Sequence, residues 1–180
     1  MIFNQKIRLR GTERTDLTQF VNWLNDPDII EGLQLYAPLS LAEEELWFEN
    51  MQKRPIDEHP YVIEFRQGDT WIAIGNCGFH NIDYRCRSAE VGIFIGEKQY
   101  WNQGLGTEAM KLLLGHGFET LNLNRIMLEV YSTNPRAVKS YQNAGFTIEG
   151  RKRQGMYKGG KYIDILIMGI LRDEWIKRSA

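Results

Sequence analysis

The tightest constraint on this chain is a glycine-spaced turn, Tyr100-Trp101-Asn102-Gln103-Gly104-Leu105-Gly106-Thr107-Glu108-Ala109. It lies between a strand-like segment and a long apolar helical pattern. Glycines at two alternate positions let the backbone curl tightly, so that successive N–H groups converge on one point. The helix that follows opens with N–H groups that have no intrahelical partner and with the positive end of its dipole, a combination that favours an anion such as a phosphate. The same residues can also serve a loop that needs glycine only for its shape. Gly104, Gly106 and Ala109 further satisfy the dinucleotide fingerprint G-x-G-x-x-A, with Glu129 near the distance of the ribose-binding acid. In that fold the glycines follow their strand almost directly, whereas here Glu97 to Gln103 intervene after what reads as an antiparallel meander. The dinucleotide reading is therefore rejected.

The rest of the chain supplies the elements around this turn. Lys6 to Arg10 alternates and reads as a short edge strand. Leu17, Phe20, Val21 and Leu24 recur at helical spacing with Thr15 as the expected N-cap, and Asp26-Pro27 ends that helix. Ser40-Leu41-Ala42-Glu43 has the form of a capping box and predicts a second helix through Trp47 and Met51. Tyr61 to Arg66, Trp71 to Phe79 and Ala89 to Gly96 read as three strands joined by polar turns. After the glycine turn and its helix, Arg125 to Tyr131 is a strand. Asn134-Pro135 then opens a helix carrying Ala137, Val138, Tyr141 and Ala144 on one face, with Gly145 at its C-terminal cap. Phe146 to Arg151 and Tyr162 to Leu171 form a final hairpin. Its segment Gly155 to Tyr162 nearly spells a P-loop, but Tyr162 stands where serine or threonine must reach magnesium, and the context is a hairpin. A meander followed by alternating strands and helices predicts an α+β fold, a mixed and mostly antiparallel sheet with helices on both faces, in one domain spanning residues 1–180.

Composition narrows the function classes. Lysine plus arginine (22) nearly balances aspartate plus glutamate (23), so the formal net charge of −1 offers no basic excess for nucleic acid or a membrane surface. Cys77 and Cys86 are too few for a disulfide framework, and the three histidines are scattered, so no metal site is expected. No stretch approaches the roughly 20 apolar residues of a membrane-crossing helix. Cytoplasmic residence is the expectation.

From about Ala89 to Gly169 the chain resembles the GCN5-related N-acetyltransferase (GNAT) superfamily, in particular the branch of the RimJ- and RimL-type ribosomal-protein N-terminal acetyltransferases, with spermidine acetyltransferases as near relatives. The resemblance rests on the Tyr100–Ala109 loop, on Leu128-Glu129-Val130, and on Asn134, Ala137, Tyr141, Gly145 and Phe146, which match N-x-x-A-x-x-x-Y-x-x-x-G-F. Ile7-Arg8-Leu9-Arg10, Asp16-Leu17 and Trp23 to Pro27 extend it toward the N-terminus. One departure is Trp101, which stands where the family loop usually carries glutamine or arginine.

The resemblance implies the GNAT fold, acetyl-CoA as cosubstrate without a metal, and a cleft where Ala89–Gly96 and Arg125–Tyr131, neighbouring parallel strands, splay apart. Its coenzyme-binding residues would be Ile93, Phe94, Ile95, Asn102, Gln103, Gly104, Leu105, Gly106, Thr107, Asn134, Ala137 and Tyr141. Backbone N–H groups near Ile93 and Phe94 would hold the pantetheine arm and the thioester oxygen. Tyr141 matches the tyrosine that protonates or hydrogen-bonds the departing thiolate, and Glu129 aligns with a strand glutamate that acts as base through water; Glu90, at the start of the other cleft strand, could do the same. His80 and His116 are expected to be structural, and Lys152, Arg153, Lys158 and Lys161 a solvated basic hairpin. The helices from Thr15 to Lys53 are expected to form the acceptor side. The acceptor expected first is a peptide or protein N-terminal amine. A polyamine or an amino sugar is the alternative, and a coenzyme A-binding module without chemistry is the non-enzymatic one. A homodimer is left open.

Overall fold

A computed structural model of the protein describes residues 2–179. Eight strands form one sheet in the order β1-β2-β3-β4-β5-β6-β8-β7: β1 (Ile2–Phe3), β2 (Ile7–Gly11), β3 (Tyr61–Gln67), β4 (Thr70–Asp83), β5 (Ser88–Ile95), β6 (Arg125–Tyr131), β7 (Thr147–Lys158) and β8 (Lys161–Leu171). Every neighbouring pair is antiparallel except β5 and β6. The expected edge strand near the N-terminus is interior by one place, because β1 pairs outside it.

Side-chain alternation sorts the sheet into two faces. On one, Ala89 and Val91 of β5 and Ile126, Leu128 and Val130 of β6 join a core with α4 (Leu105–Gly115) and α5 (Pro135–Ala144). On the other, Val62 and Phe94 pack with α1 (Leu17–Leu24), α2 (Pro27–Ile30) and α3 (Leu41–Met51). Helices thus cover both faces, as the element order predicts.

The local signals hold in α3, where Ser40 and Glu43 form the reciprocal capping box, and in α5, where Asn134 Oδ1 accepts the Ala137 N–H at 3.0 Å and Gly145 closes the helix at φ +119°. Three details differ. Thr15 does not cap α1: a short 3-10 turn, Arg14–Asp16, precedes the helix and is itself capped by Glu13 and Asp16. Asn25 closes α1, and Asp26 serves instead to start α2, its carboxylate accepting the Asp28 N–H. A polar C-terminal helix, α6 (Arg172–Ser179), turns Trp175 onto Phe118 at 6.0 Å.

Candidate active site

β5 and β6 are joined by only three rungs, Ser88–Arg125, Ala89–Ile126 and Glu90–Met127. Beyond them no rung links Val91–Ile95 to Leu128–Tyr131, and the sheet opens into a cleft. The antiparallel ladder on the other side of β5 decides which amides face that cleft. Gly96 donates to the Ile74 carbonyl at 2.8 Å, one step beyond the Gly75–Ile95 pair of the register. Alternation then turns the N–H groups of Phe94 and Gly92 toward β4, and those of Ile93 and Ile95 toward the opening. Phe94 is engaged otherwise, its ring meeting Trp23 edge-on at 6.1 Å.

The glycine turn stands at the end of β5. Gly104 is the N-cap of α4 in the left-handed region, φ +76°, with nothing within 4 Å of where a Cβ would be, and Asn102 is also left-handed at φ +60°. No side chain caps α4, and its first helical bond runs from Glu108 N–H to Gly104 O at 3.0 Å. The N–H groups of Leu105, Gly106 and Thr107 are therefore free to meet an anion. Trp101 Nε1 donates to Ile95 O at 2.8 Å, Gln103 Nε2 to Gln99 O at 2.7 Å, and Thr107 Oγ1 lies 2.8 Å from Ser140 Oγ. The Arg136 guanidinium stacks on the Trp101 ring at 3.8 Å, fixing a cation of α5 beside the loop. An open cleft edged by unpaired amides and a turn of free donors at a helix N-terminus fits a thioester cosubstrate with a pyrophosphate. Among the described residues no cluster of side chains could hold a metal ion.

Tyr141 projects from α5 into the core on the coenzyme side, edge-on to Phe146 at 6.0 Å. Burial pushes its phenol up to about 12. Ala137, one turn earlier, lies on the same face, and Asn134 is occupied as the cap of α5. The carboxylates lie on the opposite face of the sheet. Glu129 on β6 pairs with the Lys152 ammonium. Glu90 on β5 faces His80 across the ladder, Oε2 3.3 Å from Nε2. Glu90 thus has His80 as its partner, a pairing that the sequence alone does not show. The nine residues between the two hide a pairing that only the register reveals.

The basic hairpin is not simply solvated. Lys158 Nζ donates to the carbonyls of Ile30 and Leu33, the latter at 2.6 Å, and lies 5.6 Å from the Tyr131 ring. It ties the segment after α2 to β7. A further cavity of about 470 Å³, edged by Ile2, Lys111, His116 and Trp175, lies away from the cleft.

Comparison with known proteins agrees with this geometry. The family model of the acetyltransferase (GNAT) domain matches residues 6–147. Over 176 residues the chain is 31% identical to the spermidine N(1)-acetyltransferase of Vibrio cholerae, covering 98% of this chain and 99% of that protein. Over 101 residues it is 33% identical to the putative ribosomal N-acetyltransferase YdaF of Bacillus subtilis, covering 56% and 55%. The crystal structure of the Vibrio cholerae spermidine N-acetyltransferase in complex with CoA and spermine matches with a TM-score of 0.87 at 29% identity, over 96% of this chain and 99% of that one. With its splayed parallel pair and glycine turn, the chain belongs to the GNAT acetyltransferase family and is an acetyl-CoA-dependent N-acetyltransferase.

Proposed function

We propose that the acceptor is a primary amine of a spermidine-type polyamine. The observation that carries this reading is that similarity to the spermidine acetyltransferase runs through 98% of this chain. It therefore takes in α1 to α3, the elements that face the acceptor. Similarity to the ribosomal relative stops at 56%. Glu90, which no Lys or Arg pairs among the described residues, offers negative charge on the acceptor face for a substrate carrying several ammonium groups. A polyamine therefore replaces the peptide N-terminus as the first choice, and the ribosomal relative keeps the peptide as the second.

The chemistry follows from the groups around the cleft. When bound, acetyl-CoA supplies an activated acyl group whose carbonyl carbon the amine attacks. The amides of Ile93 and Ile95 face the position where negative charge grows on the carbonyl oxygen, and such preset donors lower the barrier. The amine presents a different difficulty. With a pKa near 10, only about one molecule in a thousand is unprotonated at neutral pH, so a base must take a proton. Tyr141 meets the leaving sulfur. A phenol near 12 lies roughly 3 to 4 units above an ordinary thiol, so full transfer to a free thiolate would cost about 5 kcal/mol. Its role is therefore to hydrogen-bond the sulfur as charge develops there.

A mixed pool of spermidine, spermine, an amino sugar and peptides with free N-termini tests the acceptor. Purified protein and acetyl-CoA are added, and products are read by mass spectrometry alongside thiol release. Acetylated polyamine is expected to dominate. Preferential acetylation of the peptides would replace this acceptor by the second reading.

A further inference from the structure

We propose that His80 is the proton acceptor for the incoming ammonium and that Glu90 orients it. This deepens the N-acetyltransfer reading of the cleft and rests on it. Three observations converge. First, His80 and Glu90 are directly opposed on β4 and β5, with His80 Nε2 3.3 Å from Glu90 Oε2. Second, Glu90 and Met127 form the last rung before β5 and β6 part, so the pair stands at the apex of the cleft on the acceptor face. Third, the next position along that face is Gly92. A Cβ there would meet only the His80 Cε1 atom, at 3.8 Å. The imidazole edge thus borders a space left open on the sheet, where an amine can approach the cleft.

The alternative base is otherwise engaged. Glu129 Oε1 holds the Lys152 ammonium, so a proton placed there must first displace a cation. Glu90 instead faces His80 Nε2, and a carboxylate next to one imidazole nitrogen favours a hydrogen on that nitrogen. Nε2 then carries the hydrogen and Nδ1 keeps its lone pair.

The proton balance closes. Nδ1 takes one proton from R–NH3+, giving the neutral amine and an imidazolium facing Glu90. The amine lone pair forms the C–N bond, the C–S bond breaks, and the second proton lost from nitrogen ends on the thiolate. The imidazolium returns its proton to water, which reaches it because the His80 side chain is 43% exposed. The products are the acetamide, the free thiol and one proton.

The test compares wild type with His80→Ala, His80→Gln and Glu90→Gln, using whichever amine the wild type turns over fastest. A mistaken acceptor class then changes the substrate in the assay and leaves the His80 comparison intact. Removal of a general base is expected to lower kcat by about 10²-fold or more, with the KM for acetyl-CoA unchanged. Added imidazole should restore part of the His80→Ala rate and none of the His80→Gln rate. Glu90→Gln should cost less, and the His80→Ala/Glu90→Gln double variant should be no slower than His80→Ala, because the two act as one unit. An acetyl-CoA-induced rise in Tm equal to that of wild type verifies that each variant is folded. A His80→Ala rate within twofold of wild type, or a folded His80→Ala that imidazole does not rescue, overturns the proposal.

Discussion

The two faces of the open strand pair are built from different materials. On the side of α4 and α5, the groups proposed to meet the coenzyme are mostly backbone: the amides of Ile93 and Ile95, and those of Leu105 to Thr107 at the start of α4. Their positions are fixed by the ladder with β4 and by Gly104 in its left-handed conformation. On the side of α1 to α3, the polar side chains instead pair with one another or with backbone from other elements: His80 with Glu90, Glu129 with Lys152, Lys158 with the carbonyls of Ile30 and Leu33. That side also carries polar groups without full compensation. Glu44 is buried on α3, and Asn76 Nδ2 on β4 has no hydrogen-bond partner. A backbone cradle tolerates most side-chain changes and suits a constant cosubstrate. A side-chain surface is easily rewritten and suits an acceptor that varies among relatives.

Tyr141 is the exception on the coenzyme side, because the proposed mechanism gives its side chain a part in the chemistry. Tyr141→Phe removes one oxygen from a ring otherwise held by packing against Phe146. It is expected to lower kcat by about 10²-fold or more while the Kd for acetyl-CoA from titration stays within twofold of wild type. A parallel loss of affinity would mean that the hydroxyl binds coenzyme in the ground state, and the division between backbone binding and side-chain chemistry would fail on this face.

The same division decides how much could be read from sequence. The coenzyme side is local. Asn134, Ala137, Tyr141, Gly145 and Phe146 fall within 13 residues on one helix and its cap, and the glycine turn is continuous. The acceptor side depends on register and on contacts between distant segments. His80 reads as structural because nothing in its neighbourhood announces Glu90. Lys158 reads as a surface lysine because its partners, Ile30 and Leu33, lie more than 120 residues earlier. From sequence Phe94 groups with Ile93, because spacing alone does not say which amides of a strand its neighbour has taken. Missed elements follow the same rule: β1 is two residues long, and α6 is polar apart from Trp175 and Ile176.

Glu44 offers a sharper test of the uneven compensation. Burial pushes its carboxyl up to about 7. Between the ordinary value of 4.5 and 7, the folded protein therefore holds a proton that the unfolded chain gives up. The stability linked to this group is full below about 4.5 and is lost as pH rises through 7. Glu44→Gln keeps the shape and removes the titration. It should match wild type in denaturant unfolding at pH 4.5 and exceed it by about 1–3 kcal/mol at pH 8, the usual cost of a buried polar group left unsatisfied. Glu149 and Asp26, whose carboxyls Arg125 and Lys98 hold low, titrate below this window and cancel in the comparison. Equal stability at pH 8 would mean that a compensating cation reaches Glu44 in solution.

The smallest expected effect probes the coenzyme side where a side chain stands closest to the backbone cradle. Arg136 stacks on Trp101 at 3.8 Å, and Trp101 Nε1 holds the Ile95 carbonyl at 2.8 Å. The stack therefore braces the loop and also brings a positive charge to its edge. If the amides of Leu105 to Thr107 carry the binding, Arg136→Ala removes only an exposed cation–π contact of about 0.5–1 kcal/mol. The KM for acetyl-CoA would then rise about two- to fivefold at constant kcat. Arg136→Lys, which keeps the charge but loses the planar stack, separates bracing from attraction: a rise equal to that of alanine assigns the effect to the stack, and a wild-type value assigns it to charge. Trp101→Phe keeps a ring for Arg136 and removes the bond to Ile95, so it reports the bracing alone. A rise of tenfold or more in Arg136→Ala would show the coenzyme side depending on side chains as heavily as the acceptor side does, and the contrast between the two faces would not survive it.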